Sequence, residues 1–541
     1  MDNLWYKDAI FYEVYVRAFS DSNGDGQGDL RGLIGKLDYI KELGVDCLWL
    51  LPICESPLVD DGYDVSDYRR ILPEYGTLDD FRQLVQHAHA RDMRVISDMI
   101  MNHTSDQHSW FVESRSGRGS AKRDYYLWSP TDQRFNDARI IFVDSQKSNW
   151  QFDPHSGEYY FHRFYSQQPD LNYDNPIIRE EMIGIIKFWL ETGIDGFRCD
   201  AVPYLFKREG TNCENLPETH EYLKQVRRFV SDHYPGKLLL AEANQWPQDA
   251  VAYFGNGDEF QMAFNFPVMP RIFMALKSAD RTPVVEISKA TPSIPDDCQW
   301  CTFLRNHDEL TLEMVTPEER EWMWNQYAPE PRMRLNLGIR RRLAPLLDNN
   351  PRKILLADSM LFTLPGSPII YYGDEIGMGD DIWLKDRDGV RTPMQWSTLE
   401  NAGFSGAPAS RLYAPVVQDS IYGYARVNVE SQRADPNSIF HAVKHQIAVR
   451  RQYPVFGRGD CNFLSPANRS ILAYTRQHQD VTILVVNNLS DQVQETNLDL
   501  GAFEGRIPTD VLTNQMFRAI TREPYNLHLQ PYEYFWLDIS K

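Results

Sequence analysis

The sequence lacks the features that would place the protein in a membrane, outside the cell or on a nucleic acid. It contains no run of about 18 apolar residues, so we expect no membrane-spanning helix. The stretch from Met1 to Lys7 has neither the basic nor the apolar segment of a secretory signal. The 76 acidic residues outnumber the 56 lysines and arginines, and the net charge of −20 argues against a polyanionic partner. We therefore expect a cytoplasmic protein.

Cysteine is also scarce. The seven cysteines are scattered and odd in number, which predicts a reducing compartment rather than a disulfide framework. Cys298 and Cys301 are spaced like half of a zinc site, but no second Cys or His pair lies nearby, so we expect no zinc. The densest basic cluster, Arg340 to Arg342, is interpreted as a solvated helix face.

The order of strand-like and helix-like segments predicts an α/β fold. Strand and helix alternate at a rhythm typical of parallel βα units, and the strands number eight, as in a (β/α)8 TIM barrel. After the third strand the rhythm breaks for about 70 residues, which indicates an inserted subdomain. The predicted divisions are a catalytic barrel at 1–103 and 176–452, the inserted subdomain at 104–175, a helical insertion of two helices at 316–350, and a C-terminal antiparallel β-sandwich at 453–541.

Charged residues at the ends of apolar strands locate the predicted site. The stretch 196–202 carries Arg198 and Asp200 on one side of a buried strand, where unpaired charges are costly. Taken alone, this could be a structural ion pair. However, the strands at 95–103, 238–244 and 301–309 also end in carboxylates or histidines. Because strand ends meet on one face of a barrel, these side chains are predicted to form one site.

Two carboxylates at neighbouring strand ends fit glycoside chemistry. A retaining enzyme needs a nucleophile and an acid/base about 5–5.5 Å apart. Asp200 is the better nucleophile because Arg198 favours its ionised form. Glu242 lies in an apolar strand, where desolvation raises a carboxyl pKa and suits a proton carrier. Asp308 and His307 are predicted to hold sugar hydroxyls.

The motifs at 98–103, 196–200 and 306–308, with Glu242, resemble those of the α-amylase family of glycoside hydrolases. The stretch 168–172 resembles the oligo-1,6-glucosidase-like branch. Within that branch, longer stretches are similar to members that interconvert maltose and trehalose, namely 209–220, 241–247, 306–316 and 339–348.

The resemblance implies a role for each matching position. Asp200 is implied as nucleophile, Glu242 as acid/base and Asp308 as transition-state stabiliser. The implied pocket for the transferred glucosyl ring consists of Tyr63, Asp64, His103, Phe164, Arg198, His307 and Arg391. The implied half that holds the free glucose consists of Asn244, Glu309 and Arg139.

The loop at 21–29 predicts a calcium site. Its oxygen-bearing side chains and its glycine at the sixth position match most of a calcium loop, although a plain Asp/Gly turn is the alternative. The predicted ligands are Asp21, Asn23, Asp25, the Gln27 carbonyl and Asp29. We expect Ca²⁺ as the only cofactor.

The family resemblance also implies a second calcium site, built from Asn102, Asp170 and the backbone oxygens of Tyr204 and Leu205. This chain has Lys207 where the resemblance implies a glutamate. An ammonium group would neutralise Asp170 and repel a divalent ion. We therefore expect one calcium per chain, with the Lys207 amine close to Asp170 or Asn102.

The expected activity is interconversion of maltose and trehalose through a covalent glucosyl-enzyme, with some hydrolysis to glucose. The alternative enzyme is an α-glucosidase of the same branch, and the alternative from another class is an inactive sugar-binding barrel. The three carboxylates Asp200, Glu242 and Asp308 argue against the inactive barrel. The expected partner is a disaccharide, with no nucleic acid and no membrane; homo-oligomerisation is left open.

Overall fold

Eight parallel strands close into a barrel, as the sequence predicts. The computed structural model describes residues 4–540. Each strand pairs with the next along the chain, and the eighth pairs with the first. The strands are β1 (Phe11–Val14), β2 (Cys47–Leu50), β3 (Arg94–Ile100), β4 (Gly196–Asp200), β5 (Leu238–Ala241), β6 (Met262–Phe264), β7 (Gln299–Phe303) and β8 (Ser367–Tyr371).

The register of three neighbouring strands brings the predicted charges together. Asp98 of β3 is the backbone partner of Arg198 in β4. Cys199 pairs with Ala241 of β5, so Glu242 follows at the level of Asp200. Because alternate residues of a strand point to the same side, Arg198 and Asp200 both face the barrel interior.

Helices surround the barrel and separate its strands in the chain. Several begin with polar caps, such as the capping box of Thr77 and Asp80 and the Asn175 cap before a proline. The principal helices are Leu37–Leu43, Leu78–His89, Pro176–Leu190, Pro217–His233, Pro247–Ala252, Val268–Ser278, Thr282–Ala290, Pro351–Thr363 and Ile439–Gln452.

The segment between β3 and Pro176–Leu190 has its own small sheet. Three antiparallel strands lie in the order Trp128–Ser129, Glu158–Phe161 and Trp150–Asp153, and the helix Ser109–Ser114 precedes them. The segment therefore has secondary structure of its own. Its limits at 104 and 175, like the other predicted domain boundaries, stay predictions.

The segment at 316–350 differs from the two predicted helices. One helix, Pro317–Tyr327, is present, but strands follow it instead of a second long helix. Arg334–Leu335 and Gly338–Ile339 form an antiparallel hairpin, and Leu310–Thr311 adds to its edge. Asn336 in the turn has a φ of 50°, a left-handed conformation that asparagine tolerates. A right-handed helix cannot continue through a residue in this conformation. Arg340 to Arg342 consequently lie on no helix, and Arg342 is fully buried rather than solvated.

The C-terminal part is antiparallel, as predicted. Its strands are β9 (Asp460–Phe463), β10 (Ile471–His478), β11 (Val481–Asn488), β12 (Gln494–Leu498), β13 (Thr509–Asp510), β14 (Tyr525–Leu529) and β15 (Tyr534–Asp538). Five of them form one sheet in the order β9, β10, β11, β15, β13, and β12 and β14 form a second. Apolar side chains from both sheets share one buried cluster.

Candidate active site

Arg198 lies at the centre of the site and binds three carboxylates. Its Nη1 is 2.6 Å from Asp98 and 2.5 Å from Asp200, and its Nη2 is 2.5 Å from Glu242. The residue after Asp200, Ala201, has a φ of 54°, which costs a non-glycine residue roughly 1–2 kcal/mol. This turn aims the Ala201 N–H at Glu242 Oε2, 3.1 Å away. Sharing one guanidinium holds Asp200 and Glu242 close together.

The charges of this cluster do not balance when all three carboxylates are ionised. Burial raises the pKa of Asp200 to about 6, although Arg198 opposes the shift. Burial also raises the pKa of Glu242 to about 7, and the neighbouring Asp200 and Asp308 charges add to the rise while Arg198 opposes it. Near neutral pH the proton therefore resides preferentially on Glu242, and Asp200 is the anion.

Asp308 lies at a second cluster, which follows β7. His307 Nε2 is 3.1 Å from Asp308, and His307 Nδ1 is 2.5 Å from the fully buried Glu13 of β1. Burial alone would lower the pKa of His307, but the two carboxylates raise it to about 9. Burial likewise opposes ionisation of Asp308, yet His307, Arg387 and Arg391 hold its pKa well below the usual range. Asp308 is therefore a permanent negative charge in the site.

A cavity of about 120 Å³ lies over both clusters and opens to solvent. Its walls carry both apolar rings and polar groups. The lining residues are Asp60, Tyr63, His103, Ile141, Phe142, Phe164, Asp200, Ala201, Pro203, Tyr204, Glu242, Asn244, Phe266, Asn306, Asp308, Glu309, Thr311, Glu313 and Arg387.

The structure brings most of the predicted glucosyl pocket together. The Tyr63 ring stacks on His307 with centroids 5.4 Å apart, and His103 contacts the Phe164 ring. Arg391 binds Asp308 at 3.0 Å from behind the cavity.

Asp64 was predicted to line that pocket, and the structure places its side chain elsewhere. Its buried carboxylate accepts the amides of Val59 and Asp60 and the Ser56 hydroxyl, so it shapes the loop and does not line the cavity. Asp60 lines the cavity instead.

On the other side of the cavity, the three predicted residues form a polar wall. The Asn244 amide donates to Glu313 at 2.8 Å, and Arg139 pairs with the other oxygen of Glu313 at 3.2 Å. Arg139 acts from outside the lining, where it also binds Glu214 at 2.8 Å. Burial raises the pKa of Glu309 to about 7.

Sequence reasoning missed four residues of this site. Glu13 could have been identified from the sequence, because it is a charged residue inside an apolar strand, the same feature that identified Arg198. Asp60, Glu313 and Arg387 come from loops without periodicity, and nothing in their immediate sequence distinguishes them from solvated charges. Only the folded chain shows that Arg387 bridges Asp60 at 2.5 Å and Asp308 at 2.8 Å.

The predicted calcium loop fits a cation in part. Asp21, Asn23 and Asp25 each accept amides of the loop, and Asp21 also accepts the Ser405 hydroxyl. The Asp29 carboxylate caps the helix Leu30–Ile34 and accepts hydrogen bonds from Ser22, and its role as a ligand stays a prediction. Among residues 4–540 no cluster of three or more His, Cys, Asp or Glu could hold a metal. The calcium ion stays a prediction.

At the implied second site, Lys207 takes the place of a cation. Its Nζ lies 2.6 Å from Asp170 and 3.1 Å from the Asn102 side-chain oxygen, and its side chain is 1% exposed. The predicted position of this amine is therefore confirmed.

A ring of carboxylates at the strand ends of a (β/α)8 barrel defines a sugar-processing enzyme, and comparison with known proteins agrees. Residues 13–328 and 339–459 match the family described as alpha amylase, catalytic domain, and residues 461–536 match the maltogenic amylase C-terminal domain. The chain belongs to the α-amylase family.

Individual proteins are similar over the full length. The trehalose synthase/amylase TreS of Mycobacterium tuberculosis is 56% identical over 546 residues, covering 100% of this chain and 91% of that protein. The oligo-1,6-glucosidase of Bacillus cereus is 33% identical, covering 91% of this chain and 92% of its own.

A solved structure is also similar. The trehalulose synthase MutB from Pseudomonas mesoacidophila superposes with a TM-score of 0.80 at 29% identity, covering 99% of both chains. Within residues 4–540, none of the helices combines the length and the apolar character needed to cross a membrane.

Proposed function

We propose that this chain interconverts maltose and trehalose by intramolecular, retaining glucosyl transfer. The pair of carboxylates held by Arg198, Asp200 with a pKa of about 6 and Glu242 with a pKa of about 7, supports retaining glucosyl transfer. The observation that carries interconversion over hydrolysis is the 56% identity, over the full chain, to a trehalose synthase/amylase.

In the first half-reaction, an Asp200 oxygen attacks the anomeric carbon of the glucosyl unit. The protonated Glu242 transfers its proton to the glycosidic oxygen, and the bond to the 4-oxygen of the second glucose breaks. Asp308, whose pKa is held well below its usual range, would stabilise the positive charge that develops on the ring. A covalent glucosyl-enzyme and one free glucose result.

In the second half-reaction, the free glucose turns inside the cavity and presents its anomeric hydroxyl. Glu242, now ionised, removes the proton of that hydroxyl, its oxygen attacks the glucosyl carbon, and the bond to Asp200 breaks. Two inversions give net retention. Water that reaches the glucosyl-enzyme first yields glucose as a side product.

Contacts between two insertions at the edge of the cavity support transfer to the retained glucose. The inserted segment and the hairpin after Pro317–Tyr327 meet at Asn336, whose backbone N–H donates to Asp144 at 2.7 Å. The Asn336 side chain also donates to Glu309, which lines the cavity, at 3.2 Å. These contacts would hinder the exit of glucose on this side.

The alternative is an α-glucosidase, which shares the first half-reaction and ends with water. The 33% identity to an oligo-1,6-glucosidase supports this alternative. Incubation with maltose and chromatographic separation of the products distinguishes the two. Trehalose as the main product supports the proposal, and glucose alone contradicts it.

We further propose a cytoplasmic enzyme that binds one structural calcium ion. All seven cysteines are unpaired, as expected in a reducing compartment. Asp21, Asn23, Asp25 and Asp29, with the Gln27 carbonyl, would hold the ion, and the ion would reduce repulsion between the loop carboxylates. Metal analysis after dialysis tests this proposal, and no retained calcium contradicts it. Self-association stays open.

A further inference from the structure

Arg340 binds three backbone carbonyls of a loop that lies more than 40 residues away in the sequence. Its Nη1 donates to the carbonyl oxygens of Leu384 at 2.8 Å and Asp386 at 2.7 Å, and its Nη2 donates to that of Ile382 at 3.2 Å. Its Nε donates to the Arg332 carbonyl at 2.5 Å. One guanidinium thus joins the insertion after β7 to the loop after β8.

The loop segment that Arg340 binds has an unfavourable backbone conformation. Asp386 has a φ of 44°, a left-handed conformation that persists in a non-glycine residue only when its surroundings fix it. Arg340 binds the Asp386 carbonyl, and the Tyr165 hydroxyl from the inserted segment donates to its carboxylate at 3.0 Å. Both contacts fix this turn.

The residue that follows the turn, Arg387, completes the wall of the cavity. Its guanidinium is 5% exposed and binds Asp308 at 2.8 Å and Asp60 at 2.5 Å. Asp60 belongs to the loop after β2 and Asp308 to the loop after β7, so this bridge spans the cavity wall. A shift of the backbone preceding Arg387 would lengthen one or both of these contacts.

Building on the proposed function, we propose that Arg340 is a positioning residue that determines how the glucosyl-enzyme partitions between retained glucose and water. By fixing the turn at Asp386, Arg340 holds Arg387 in its bridge and keeps the wall closed. The Arg340 guanidinium donates to four carbonyls at once, whereas the ammonium of a lysine has only three donors and lacks the planar geometry.

The test measures the products of maltose for the wild type, Arg340→Lys and Arg340→Gln. The glucose released per trehalose formed is expected to rise roughly tenfold in Arg340→Gln, which corresponds to a change of about 1.4 kcal/mol between the two competing barriers. Arg340→Lys is expected to lie between the wild type and Arg340→Gln. Arg352→Gln, which removes an exposed arginine away from the cavity, serves as control and is expected to keep the wild-type ratio.

The product ratio separates positioning from simple instability. A less stable enzyme loses both products in proportion, so its ratio does not move, and thermal unfolding measures the stability independently. An unchanged ratio in Arg340→Gln overturns the inference while the proposed function stands. A wild type that forms no trehalose overturns the proposed function itself.

Discussion

Replacing Lys207 by methionine would show whether its ammonium group stabilises this site in place of a metal ion. The substitution keeps an unbranched side chain of similar length but removes the positive charge. The Asp170 carboxylate, which is fully buried, would then retain the amide of Arg163 at 2.9 Å but lose its ion pair at 2.6 Å. Breaking a buried pair by removing one partner costs about 3–5 kcal/mol, because the remaining charge is uncompensated.

That cost converts into a measurable shift. At about 2.1 cal/mol/K per residue, unfolding of the 541-residue chain has an entropy of about 1.1 kcal/mol/K, so Tm falls by roughly 3–4 °C. Thermal unfolding followed by circular dichroism or calorimetry measures it. The double variant Lys207→Met with Asp170→Asn is the matched control, because it replaces the ion pair by neutral groups and should recover most of the loss.

Calcium provides the second part of this experiment. Lys207→Glu places a carboxylate beside Asp170, and the two repel one another unless a divalent cation bridges them. Its Tm should therefore rise on addition of calcium by more than that of the wild type. A Tm of Lys207→Met within 1 °C of the wild type, or two calcium ions retained per wild-type chain, would show that the reasoning about this amine is wrong.

Four further predictions concern the chemistry. Asp200→Asn should lose glucosyl transfer by several orders of magnitude while Tm shows a folded protein, and residual turnover above about a hundredth would reject it as nucleophile. Glu242→Gln should be nearly inactive on maltose yet still react with a substrate whose leaving group needs no proton. The dependence of kcat/KM on pH should be bell-shaped, falling below about 6 as Asp200 is protonated and above about 7 as Glu242 ionises; a flat profile would contradict these assignments. Trehalose formed from maltose in the presence of labelled glucose should carry little label, and heavy labelling would show that glucose leaves the cavity.

The sequence predicts the barrel and its catalytic carboxylates because both depend on strands. An apolar strand is recognisable, and a charge at its end is unusual, so Arg198, Asp200 and Asp308 are conspicuous. Barrel closure then brings together residues that are over 100 positions apart. This inference needs no knowledge of the loops.

Loop geometry is where sequence reasoning fails. Asp60 and Asp64 flank the same tyrosine, and no pattern tells which one lines the cavity. The left-handed Asp61, with a φ of 47°, and Gly62 turn the chain between them, and the Asp64 carboxylate is left to accept loop amides. Arg340 is a similar case, since a cluster of arginines indicates a solvated surface until its carbonyl partners are known.

The choice between isomerisation and hydrolysis depends on the half of the cavity that holds the free glucose. Asp200, Glu242 and Asp308 perform the same first step whichever acceptor follows. A glucose that is to turn inside the cavity needs a wall that binds it in two orientations. Asn244 and Glu313 offer an amide and a carboxylate, and Asn244 Oδ1 has no hydrogen-bond partner among residues 4–540.

Such groups accept any of the hydroxyls spread around a sugar ring, whereas an aromatic platform favours one face of it. Arg139 fixes this wall by pairing with Glu313, so the polar groups stay in place while the sugar moves. In the proposed reaction, this hydrogen-bonding wall would hold the glucose as it turns, and the Arg387 bridge between Asp60 and Asp308 would limit the entry of competing water.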